Sequence, residues 1–185
     1  MIQVHVTKKL LAKLVIAESN DSLTADDSTG NNPLNGWHGN LITIQRRNCI
    51  VMVHDATRFP LFLPCLTKAD FAKLDSWFED SFMNTLLKCG ANDQQMTIAT
   101  KLLAGLSIDS ICDRSVQGTM NRVKGDIEQM IYYDDAQLVD LSGPKVGAWL
   151  ADSPCTVKGR KGFIMPKKMM FELLDNAFLS SSAND

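Results

Sequence analysis

NLITIQRRNCIVMVHDATRFPLFL, residues 40–63, decides the fold. It holds three runs rich in Ile, Val, Leu and Phe, at 40–45, 49–54 and 58–63, each too short for a globular helix and of the composition that strands favour. The connections, Arg46-Arg47-Asn48 and Asp55-Ala56-Thr57, are too short to cross over a sheet, so consecutive strands must pair antiparallel, as a meander. Pro60 and Pro64 place the third strand at an edge, because proline has no N–H to give to a ladder.

Outward toward the amino terminus, Ile2-Gln3-Val4-His5-Val6 alternates apolar and polar as a half-buried strand does. Thr7 can cap a helix to Ile16 that carries Leu10, Leu11, Leu14 and Val15 on one face. Residues 17–36 (AESNDSLTADDSTGNNPLNG) form a polar loop of about twenty residues, long for a compact domain. Outward the other way, Thr67 and Asp70 open a helix in which Phe71, Leu74, Trp77 or Phe78, Phe82 and Leu86 recur at helical spacing up to Lys88, with Gly90 as the stop. A helix over 94–104, a short strand within 107–112 and a long helix capped by Asp113 follow. Val116, Met120, Val123, Ile127 and Ile131 mark the core face of that helix, and Gly118 and Gly125 weaken it unless close packing needs them. Gly143-Pro144 breaks the next segment, and Pro166 suits the first turn of a last helix to Phe178. Strands early and helices late predict an α+β fold, a small antiparallel meander with a mostly helical carboxy-terminal half. One domain is expected over 1–179, with a frayed tail at 180–185.

The 185 residues carry 19 Lys plus Arg against 21 Asp plus Glu, a net charge of −2, which excludes bulk attraction to nucleic acid or to an anionic membrane. Any polyanion site must be a local patch. No run reaches the roughly 18–20 apolar residues that span a bilayer, and the amino terminus lacks signal-peptide order, so no membrane association and a cytoplasmic location are expected. Cys49, Cys65, Cys89, Cys112 and Cys155 form no C-x-x-C pair, and His5, His38 and His54 are scattered. Free thiols, no metal and no cofactor are therefore expected.

Trp37-His38-Gly39-Asn40 opens the meander. It reads either as core and turn chemistry or as a stacking ring beside two polar groups suited to a ring-bearing ligand. Arg46 and Arg47 belong at a hairpin tip, away from Arg58. Arg114, beside Ser115 at a helix start, opposes the helix dipole and so calls for a partner: Asp113 or Asp109 internally, the more economical choice, or an external anion. The stretch Thr156 to Lys168 holds Lys158, Arg160, Lys161, Lys167 and Lys168 with no acid, and Phe163 could stack beside them; it is the best local contact for phosphate. His54, Asp55 and Ser115 supply triad side chains, but Asp55 adjoins His54 on a strand and points away from it.

The set Trp37-His38-x-Asn40-Leu41, Arg46-Arg47, Asp55-Ala56-Thr57-Arg58 and Arg114-Ser115-x-x-Gly118-x-Met120-Asn121, with Val6-Thr7-Lys8-Lys9-Leu10 ahead of it, resembles a family of small bacterial proteins known only as a domain of unknown function. The likeness covers roughly residues 2–130, and the 17–36 loop is longer here. It implies a bacterial intracellular protein and points to His38, Asn40, Arg47, Thr57, Arg114, Ser115 and Asn121 as a shared site. The function expected is a binding module for a nucleic-acid or phosphate-bearing partner, with a link to mobile elements or defence. The alternatives are a small hydrolase or transferase on a nucleotide-like substrate, with His38 or His54 as acid–base group and Arg114 as anion clamp, or a protein-interaction subunit using Met165, Met169 and Met170.

Overall fold

The structure, a computed structural model, describes residues 1–17, 32–157 and 159–182. Most of the 17–36 loop and Lys158 lie outside them. The order is β1 (Ile2–Val6), α1 (Lys8–Ala17), β2 (Trp37–Ile44), β3 (Arg47–His54), β4 (Pro60–Leu66), α2 (Lys68–Phe71), α3 (Leu74–Cys89), α4 (Asp93–Leu102), β5 (Leu106–Asp109), α5 (Arg114–Tyr133), α6 (Gly143–Ala151), β6 (Cys155–Thr156), β7 (Phe163–Ile164) and α7 (Pro166–Ser182). The fold is α+β. The meander β2–β3–β4 is antiparallel as expected, and β4, which carries both prolines, is an edge.

The sheet is nevertheless mixed. Its order is β4-β3-β2-β1-β5, and β1 pairs in parallel with both β2 and β5. Strand composition says nothing about partner direction, so the antiparallel expectation covers only the middle of the sheet. β6 and β7 form a separate hairpin.

One face of the sheet carries Ile2, Val4, Val6, Leu41, Ile50, Met52 and Leu61, packed with Leu10 and Leu14 of α1 and Phe78, Phe82 and Leu86 of α3. The other carries Ile42, Val51, Val53 and Phe62 under Val116, Met120, Val123 and Ile127 of α5. α6 closes the β4 edge and shares its residues between both cores. It can approach because Gly143 has no side chain: a Cβ there would sit 2.3 Å from the Phe62 carbonyl oxygen. Gly143-Pro144 thus begins a helix, with proline where a missing N–H costs nothing.

Local chemistry explains the other boundaries. Gln45 and Arg46 both adopt positive φ (45° and 64°), the two-residue turn that matches strand twist, so Arg47 belongs to β3 and not to the turn. The helix expected over 67–88 is split at Ala72–Lys73, where the Asp70 carboxylate accepts from the Thr67 N–H and hydroxyl at 2.6 Å and from the Trp77 indole at 3.2 Å. α3 then ends at Gly90, φ 84°, where the Ala91 N–H reaches the Leu86 carbonyl. α7 continues to Ser182, past the Phe178 expected as its end. Among the described residues no helix is long and apolar enough to cross a membrane.

Candidate functional site

Parallel pairing sets His5 of β1 beside His38 of β2 and, on its other side, Asp109 of β5. Paired residues share a face, so these three side chains form a row opposite Val4 and Val6. His5 Nδ1 meets Asp109 Oδ1 at 2.6 Å. The same carboxylate accepts from Gln3 Nε2 at 2.9 Å and from the Ile111 N–H at 2.8 Å. The two imidazole rings are tilted with centroids 4.9 Å apart. His5 is partly exposed, and no described residue partners its Nε2.

His38 is committed. Its Nε2 accepts the Asp113 N–H at 2.9 Å, so its proton is on Nδ1 and is donated to Asp55 at 2.7 Å. Asp55 therefore orients His38 and not His54, and no triad forms with Ser115. His54 is fully buried. Its Nδ1 accepts from the Thr57 hydroxyl at 2.9 Å, and Thr57 Oγ1 accepts the Phe59 N–H. Burial pushes the His54 pKa down to about 4, which keeps the ring neutral. Neither histidine named from the sequence is free for acid–base work; His5 is.

Arg58 lies just beneath this row, at φ 60° and 6% exposed. It donates to the Asp55 carbonyl and, at 3.2 Å, to Ser115 Oγ, while its Nε finds no partner among the described residues. Asp113 caps α5 through the Ser115 and Val116 N–H groups, and those bonds hold its carboxyl below the usual range. Thr7 donates to Asn40 Oδ1 at 3.0 Å.

The row ends at a switch point in the sheet topology. β1 and β5 are parallel neighbours, yet α1 leaves β1 onto one face of the sheet and α5 leaves β5 onto the other. In open sheets, ligands bind outside the carboxyl ends of strands whose helices diverge in this way. Two helix amino termini, each with partial positive charge, border it. Arg114 opens α5, exposed, and Lys8 and Lys9 open α1, also exposed. The internal pairing expected for Arg114 is not made: among the described residues no carboxylate forms an ion pair with it, since Asp113 caps the helix and Asp109 holds His5.

His38, Asn40, Arg114 and Ser115 thus gather at this end of the sheet, whereas Thr57 is buried with His54 on the Trp37 side. Asn121, exposed on α5, lies on the flank away from α6. Trp37 does not join them: its ring is fully buried on the opposite face against Phe78 and Phe82, and its Nε1 donates to the Leu34 carbonyl. That is the core reading, not the stacking one. Arg46 and Arg47 sit at the far end of the β2–β3 hairpin, about 23 Å of strand away. Arg160 and Lys161 are exposed between β6 and β7. Met170 is core, and Met165 and Met169 are half-covered. Sequence reading did not join His5 to Asp109 and His38, because that meeting depends on parallel pairings that no local pattern announces. Among the described residues no group of three His, Cys, Asp or Glu is placed to hold a metal ion.

Fold and site together define an α+β protein whose mixed sheet carries a histidine–carboxylate row at a switch point between parallel strands. The sequence profile of the domain-of-unknown-function family DUF6933 matches residues 3–169, and the chain belongs to that family. No curated protein and no solved structure matches it.

Proposed function

We propose that this protein is a binding module for a small phosphate-bearing ligand, seated in a crevice at the switch point beyond β1 and β5. The observation that carries the reading is Arg114: a cation at a helix amino terminus, opposed by the dipole and with both internal carboxylates already engaged, gains from an anion bound beside it. Lys8, Lys9 and the α1 terminus add positive potential from the other wall, and His5 Nε2 offers one hydrogen bond of fixed direction. The scattered arginines and the net charge of −2 favour a compact anion over a long nucleic acid. A cytoplasmic, bacterial setting and a role near mobile elements are consistent with such a module.

A second reading rests on His5 itself. An imidazole aligned by Asp109 with its outer nitrogen unclaimed by any described residue is the arrangement of a general base, so the crevice would suit hydrolysis or transfer at a bound nucleotide.

Calorimetric titration with inorganic phosphate and nucleoside monophosphates tests both. Arg114→Ala should weaken binding about tenfold or more, the value of one charge-assisted contact, while Arg46→Ala and Arg47→Ala leave it unchanged. Equal affinity in Arg114→Ala and the parent would dispose of the crevice. Turnover of the nucleotide that is lost in His5→Ala would establish the second reading over simple binding.

A further inference from the structure

We propose that Cys49 and Cys65 are a redox-modification site, joined by a reversible disulfide across β3 and β4 when the protein meets a peroxide. This is independent of the crevice. Between the pairs Asn48↔Leu66 and Ile50↔Leu63 the ladder slips: one residue of β3, Cys49, faces two of β4, Pro64 and Cys65. Cys49 is buried in the core under α5, and Cys65 packs against that same core, so both thiols lie on one face of adjacent strands. The Cys65 amide comes close enough to the Cys49 sulfur to offset part of the rise in its pKa that burial causes.

Cys65 also holds a left-handed backbone, φ 58°, which a residue with a Cβ adopts at a cost and which turns its side chain inward at the bulge. Residues facing one another across neighbouring strands fall within the Cα separation a disulfide spans, and the bulge leaves Cys49 facing Pro64 and Cys65 with no register partner of its own in β4. The other three thiols are differently placed: Cys89 and Cys155 are buried elsewhere and Cys112 is exposed.

The chemistry balances with peroxide as the named oxidant. Cys65, the more accessible thiol, attacks a peroxide oxygen as its thiolate; the O–O bond breaks, and water leaves after protonation. The resulting sulfenic acid is attacked by the Cys49 sulfur, forming S–S and releasing a second water that carries the Cys49 proton. Two thiols lose two electrons in all, and one peroxide is reduced to two waters.

The test treats the folded protein and its Cys112→Ser variant with hydrogen peroxide, alkylates the remaining thiols after unfolding, and maps the peptides. Cys49 and Cys65 should vanish from the alkylated set together, in equal amount, as one linked peptide that dithiothreitol restores, while Cys89 and Cys155 stay alkylated. In Cys49→Ala, Cys65 should instead be trapped by a sulfenic-acid-selective diketone. Linkage of either thiol to any other cysteine, oxidation of Cys65 with Cys49 still alkylated, or no loss of either would overturn the proposal.

Discussion

His54 carries a pH dependence that its burial alone dictates. Its folded pKa of about 4 lies below the ordinary value near 6.5, so between those pH values the unfolded chain binds a proton that the native ring refuses. Stability therefore holds at neutral pH and above, falls as pH drops through 6.5, and stops falling on this account near 4. The full effect is about 3 kcal/mol. Urea unfolding from pH 7.5 to 4 should show it, and His54→Asn, which keeps an acceptor for Thr57, should flatten the difference. Parallel curves for the two proteins would mean that the ring is charged or exposed. Asp113 is a milder case, since its carboxylate serves only the first turn of α5. Asp113→Ala should lower stability by about 1 kcal/mol, read from the same unfolding curves.

Elements show where sequence logic holds and where it stops. The α5 face Val116, Met120, Val123, Ile127, Ile131 is buried throughout, because a twenty-residue amphipathic helix against an apolar sheet has one way to lie. Its two glycines carry no packing role: a Cβ at Gly118 or Gly125 would meet nothing within 4 Å. Gly118→Ala and Gly125→Ala should each raise stability by roughly 0.5–1 kcal/mol; a loss in thermal unfolding would mean that this stripe touches something. Arg46 offers a matching test in the hairpin. Its positive φ favours glycine, so Arg46→Gly should stabilise by about 1 kcal/mol and leave phosphate affinity untouched. By contrast, β1 and β5 were legible as strands and illegible as neighbours. Alternation in Ile2–Val6 tells which residues are covered and is silent about which strand lies alongside. The His5–Asp109 contact spans 104 residues and exists only through that choice of neighbours.

For the whole molecule, what counts is how the helical half is fastened to the sheet. α6 lies so close to β4 that Gly143→Ala must push a methyl into the Phe62 carbonyl, and a cost of several kcal/mol, or no folded protein, is expected from denaturant unfolding. α5 is fastened differently, at its two ends, once from the start of β2 and once from the turn just past its end. At the start, His38 takes the Asp113 N–H; just past the finish, Gln45 gives a hydrogen bond to the Ala136 carbonyl at 3.0 Å and takes one from the Leu138 N–H at 2.9 Å. The strand thus acts as a gauge for the helix. One residue inserted into α5 advances its end about 1.5 Å and turns it about 100°, enough to lose one fastening or to swing the apolar stripe off the sheet. Descendants of this chain are free to repaint the outer surface of that helix, but they inherit its length.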